Sequence, residues 1–121
     1  MFNYVTLGSN NLDRALPFYD AVLGLLGAKR GFKSDRLQFY TTEQGTTLAV
    51  GIPFDRKPAT HGNGTMLGLT APDRETVDKV YQTALAHGGS DEGAPGLRGG
   101  IAYGAYFRDP DGNKLAIIKM G

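Results

Sequence analysis

The chain has 121 residues, enough for one domain with a core of its own, and its 40% hydrophobic and 21% charged residues are the proportions of a soluble globular protein. A formal net charge of +1 without any basic run argues against nucleic acid or an acidic membrane as partner; the lack of cysteine removes disulfides, thiolate metal sites and cysteine nucleophiles. No apolar stretch approaches the roughly 20 residues of a membrane span, and the opening MFNYVTLGSNN has neither the charged start nor the apolar run of a signal peptide, so a cytoplasmic location is expected.

The first element, Phe2 to Ser9, alternates with period two, Val5 and Leu7 pointing one way and Tyr4, Thr6 and Gly8 the other. The spacing then turns helical: Leu12, Ala15, Phe18, Tyr19, Val22 and Leu23 form an apolar stripe, with Asn10 or Asn11 as cap and Gly24 and Gly27 as stops. Pro17 lies inside that stripe and predicts a late start or a bend, because it removes one helical donor. Three short strands follow, over Ala28 to Phe32, Arg36 to Tyr40 and Thr46 to Ile52, and the segment Pro53 to Gly64 interrupts regular structure with prolines and glycines.

The pattern then restarts. TMLGLTA reads as a strand, and PDRETVDKVYQTALAHGG reads as a helix with Pro72 and Asp73 in its first turn and Val77, Val80, Tyr81, Ala84 and Leu85 facing inward. The glycine-rich DEGAPGLRGG reads as a loop, followed by the strand IAYGAYF, the turn DPDG and the closing strand NKLAIIKM. Shifting the chain by 62 residues pairs Tyr4 with Met66, Val5 with Leu67, Leu7 with Leu69 and Phe18 with Val80. Shifting it by 67 pairs Phe39 with Tyr106, Gly45 with Gly112, Leu48 with Leu115 and Ala49 with Ala116. The expectation is α+β: one domain over residues 1–121, built of two strand–helix–three-strand (βαβββ) modules at about 1–58 and 64–121.

Each sheet has one apolar face for its helix to cover. The other faces, placed edge to edge, make a concave surface suited to a ligand. Its expected lining is Tyr4, Thr6, Gln38, Tyr40, Thr47, Ala49, Met66, Thr70, Tyr103 and Ala116, with Gly68 and Lys114 on the same face, Phe107 as a further aromatic and Arg98 closing over an anionic group from the glycine loop. Only two histidines exist: His61 in the linker, open to a pocket role, and His87 at the second helix's C-terminus, where the dipole favours it. No spacing brings two histidines and a carboxylate together. The glycines lack the phosphate-cradling fingerprint, and Ser9, Ser34 and Ser90 lack a nucleophile's context.

The opening NYVTLGSNNLDRALPFYDAVLG, the second LTAPDRETVDKVYQTALAHGG and above all the closing RDPDGNKLAII are similar to the vicinal oxygen chelate superfamily, which includes glyoxalase I, bleomycin-resistance proteins and extradiol dioxygenases. The resemblance covers nearly the whole chain. It implies four metal-ligand positions, one on the first and one on the last strand of each module, usually histidine and glutamate. Here these fall on Tyr4, Ala49, Met66 and Ala116, so no metal cofactor is expected. A metal-independent binder of a small organic molecule is the reading this favours. A glyoxalase-type lyase or isomerase with an atypical site is the alternative, and whether the protein is an enzyme stays open. The resemblance also implies a homodimer in which modules of both chains shape each pocket, and exposed sheet edges favour the same outcome.

Overall fold

The computed structural model describes Met1 to Gly121. Five elements make the first module: β1 (Tyr4–Gly8), α1 (Leu12–Gly24), β2 (Lys29–Lys33), β3 (Leu37–Thr41) and β4 (Thr47–Gly51). Five more make the second: β5 (Leu67–Thr70), α2 (Arg74–Ala86), β6 (Ser90–Arg98), β7 (Ala102–Arg108) and β8 (Lys114–Met120). Each module folds its strands into a mixed four-stranded sheet, in the orders β1-β4-β3-β2 and β5-β8-β7-β6. The repeat seen in the sequence is therefore a repeat of topology: β1 runs parallel to β4 as β5 does to β8, and the remaining pairs are antiparallel.

Local chemistry starts both helices. Asn11 caps α1, its side chain accepting from Arg14 N, and Asp73 caps α2, accepting from the backbone N–H and the hydroxyl of Thr76. Asp73 thus stands before the helix rather than in its first turn. Pro17 neither delays nor ends α1, which begins at Leu12 and carries the proline inside. The apolar stripe keeps the helix together: Ala15, Phe18, Tyr19, Val22 and Leu23 are buried in one core that also holds Val77, Val80, Ala84, Phe107, Leu115 and Ile117 of the second module.

The larger departure is the glycine-rich segment, which is not a loop but the nine-residue edge strand β6. Its register against β7 slips at Asp91/Gly93 and again at Gly93/Gly96, and Gly93 takes φ 154°. Bulges of this kind absorb residues that break period-two alternation, and an edge position tolerates Pro95, whose nitrogen has no proton to donate. The five residues that separate the 62- and 67-residue shifts thus lengthen a strand.

The sheets stay separate; β1 and β5 are edge strands not hydrogen-bonded to each other. Contact between the modules is made by α1 against α2 and by the turn before β8. Asn113 Nδ2 donates to Gly8 O at 2.9 Å, Asn10 N donates to Asp111 Oδ1 at 2.9 Å, and Arg14 reaches the same carboxylate at 3.3 Å. Behind them the buried Asp109 accepts from Tyr19 OH, from the N–H groups of Asp111 and Asn113, and from Asn113 Nδ2. DPDGN is therefore both a turn and the clasp between the modules. No helix is long and apolar enough to cross a membrane.

Candidate functional site: the seam between the two modules

Strand register fixes which side chains face away from the helices. In the first sheet Tyr4 is level with Thr47, Thr6 with Ala49, and Ala49 with Phe39. Tyr4, Thr6, Thr47, Ala49 and Phe39 therefore share the open face. Phe39 lies edge-on to Tyr4 at 5.4 Å between ring centroids and 5.8 Å from Phe32, giving an aromatic row. In the second sheet Gly68 is level with Ala116, and Ala116 with Tyr106. Lys114 and Arg108 pair on the same face, as do Arg98 and Ala102.

Four residues expected on the open face lie on the other one. Tyr40 is level with Leu48 and buried, its hydroxyl donating to Asp20 Oδ1 at 2.8 Å. Burial first, and the Asp20 carboxylate second, raise its pKa. Gln38 is buried level with Val50 and donates to three backbone carbonyls, among them Phe39 O at 3.0 Å. Tyr103 points to α2, its hydroxyl on Asp78 at 2.7 Å and its ring beneath the Arg74 guanidinium. Phe107 is fully buried beside Phe18. The open-face aromatics are instead their neighbours Phe39 and Tyr106, the pair that the 67-residue shift aligns.

Arg98 ends β6 and is no loop residue. It donates to Leu97 O and Ala94 O while its guanidinium lies 5.3 Å from the centroid of the Tyr106 ring. Lys114 approaches the same ring from β8, at 5.7 Å. Two cations from the strands flanking β7 thus bracket one aromatic.

Two clefts follow the seam between β1 and β5. One, of about 630 Å³, opens on the helix side and is lined by Val5, Leu23, Leu26, Leu48, Leu67 and Leu69, with Thr47 and Thr70 at its rim. The other, of about 500 Å³, is bordered by Phe2, Thr6, His61, Met66, Gly68 and Lys114. His61 packs against the turn: a Cβ on Gly112 would come within 2.5 Å of its ring. Sequence alone left His61 open to a solvated role and placed Lys114 on the open face, two residues before Ala116, without singling it out.

The donor set at the four positions where related proteins would hold a metal is one phenol, one thioether and two methyl groups. Ala49 and Ala116 are both buried, and no group of three or more His, Cys, Asp or Glu lies close enough together to hold an ion. Such a set does not fit a hard or borderline divalent cation. The nearby carboxylates are committed elsewhere. Glu92 is held below its ordinary pKa first by the hydrogen bond from Arg108, and Asp111 belongs to the clasp.

Comparison with known proteins agrees with this architecture. A glyoxalase/bleomycin resistance protein from Albidiferax ferrireducens superimposes with a TM-score of 0.93 at 39% identity, covering 100% of this chain and 99% of that one. A lactoylglutathione lyase from Agrobacterium tumefaciens shares the fold at a TM-score of 0.69 and 22% identity, over 98% and 92% of the two chains. A lactoylglutathione lyase of Arabidopsis thaliana is 27% identical over 99% of this chain but 44% of its own length, so the chain spans less than half of that relative. The profile of the Glyoxalase/Bleomycin resistance protein/Dioxygenase superfamily matches residues 1–117, and the chain belongs to that superfamily.

Proposed function

We propose that the protein is a metal-independent binder of small organic molecules, using the seam between its modules. The observation that carries this reading is the donor set: alanine at both last-strand positions, with tyrosine and methionine at the first-strand ones. Two ligand-sized clefts along β1 and β5 support it, as does the aromatic row of Tyr4, Phe39 and Phe32. We take the working unit to be a homodimer. Tyr4, Phe32, Met66 and Met120 expose large apolar groups around the open faces, and β1 and β5 present unpaired edges that a second copy would cover.

The relatives named as lactoylglutathione lyases favour a second reading, in which the chain is a lyase of that type with an atypical site. Calorimetric titration of metal-stripped protein with nickel, zinc, manganese and iron(II) separates the two. No near-stoichiometric binding is expected. Tight binding at one ion per pocket would overturn the metal-independent reading and leave the lyase in its place.

A further inference from the structure

Lys114 is the one formally charged side chain bordering the cleft it shares with His61. Lys114 takes part in none of the four ion pairs of the structure. Its strand partner Arg108 is the group bonded to Glu92, at 2.8 Å. The remaining side chains able to bond a ligand there are the imidazole of His61 and the hydroxyls of Thr6, Thr46 and Thr65, since Asn113 is occupied by Gly8 O and Asp109. No aspartate or glutamate borders the cleft. Phe2, Val5, Met66 and Leu67 supply apolar walls, which exclude water and strengthen a charge-assisted bond.

The two open faces have diverged although the modules share one topology. Around the matched rings of Phe39 and Tyr106, the first sheet adds Tyr4 and Phe32, while the second adds Arg98 and Lys114. One open face is aromatic and the other aromatic and cationic, and each contributes a residue to the cleft, Thr6 from the first and Lys114 from the second. A neutral apolar ligand would leave the Lys114 ammonium desolvated and unpaired, and a cationic one would be repelled.

We propose that this cleft binds flat aromatic acids, the anionic group held by the Lys114 ammonium with His61 and the threonine hydroxyls, and the ring lying against the apolar wall of Phe2, Val5 and Met66. The proposal rests on the reading of the seam as a small-molecule site and names the class of molecule it takes.

Two fluorescent probes of nearly the same aromatic body test it: 1-anilinonaphthalene-8-sulfonate, which carries an anion, and N-phenyl-1-naphthylamine, which does not. The native protein should bind the sulfonate about tenfold more tightly or better, one charge-assisted contact being worth at least that factor. Lys114→Met should abolish the preference without weakening the neutral probe. Lys119→Met, on the same strand but the opposite face, should keep it. Equal binding of both probes by the native protein, or a preference that survives Lys114→Met, would overturn the anion anchor and leave an apolar binding seam. Failure of both probes to bind would overturn the seam as a small-molecule site along with it. Circular dichroism of each variant shows whether it is folded, and Lys114→Arg, which keeps the charge, should retain the preference where Lys114→Met loses it.

Discussion

Asp109 is the residue on which the two modules turn. Its carboxylate is buried and accepts four hydrogen bonds, of which only that from Tyr19 comes from the first module. Replacing Tyr19 by Phe removes one donor from a buried acceptor, at a cost of about 1–3 kcal/mol, read as a shift in urea midpoint at neutral pH. The same pair makes an alkaline prediction. Burial first, and then the Asp109 charge, raise the Tyr19 phenol well above its ordinary pKa. Below the unfolded value, about 10, this adds its full stabilisation. As pH rises past it, the unfolded phenol ionises while the folded one does not, and stability is lost. The native protein should lose thermal stability more steeply between pH 9 and 11 than Tyr19→Phe; equal slopes would remove Tyr19 as the cause.

At the scale of elements, close backbone approach decides where a side chain is impossible. A Cβ on Gly51 of β4 would stand 2.0 Å from Arg36 O, a carbonyl already accepting from Ile52 N at 3.1 Å. Gly68 of β5 has nothing within 4 Å of the same position. Gly51→Ala should therefore cost about 1–3 kcal/mol as strands β3 and β4 are forced apart, and Gly68→Ala should cost little. Similar denaturation midpoints for the two variants would refute the clash. Elements were legible in the sequence wherever period and turn chemistry agreed, as in both helices, in β1 and in β8. Two things were not. β6 is hidden because glycine and proline break its alternation, and only pairing with β7 makes it a strand. The faces of β3 and β7 are hidden because each carries aromatics of both parities, Phe39 beside Tyr40 and Tyr103 against Tyr106. One residue of register decides which ring faces the ligand side. The internal repeat held the answer, since Phe39 aligns with Tyr106 just as Ala49 aligns with Ala116.

For the whole molecule, the two sheets do not share a ladder, yet their helices share a core. Phe18 of α1 is fully buried, edge-on to Tyr19 at 4.9 Å and 6.2 Å from Phe107 of the second module, and it sits 3.0 Å from where a Cβ on Gly89 would stand. A residue so placed couples the modules through packing rather than through strands. Removing its ring leaves a cavity whose walls belong to both, so Phe18→Ala should cost about 3–5 kcal/mol. Because the core is contiguous, that loss should fall on both modules together. Hydrogen exchange would show amides of β4 and β8 losing protection by similar free energies in the variant, as members of one cooperative unit do. A variant in which β8 kept native protection while β4 exchanged freely would mean that the modules unfold separately. The Asp109–Asn113 clasp would then be a hinge between independent halves, and the clefts at the seam would change shape whenever either half moved.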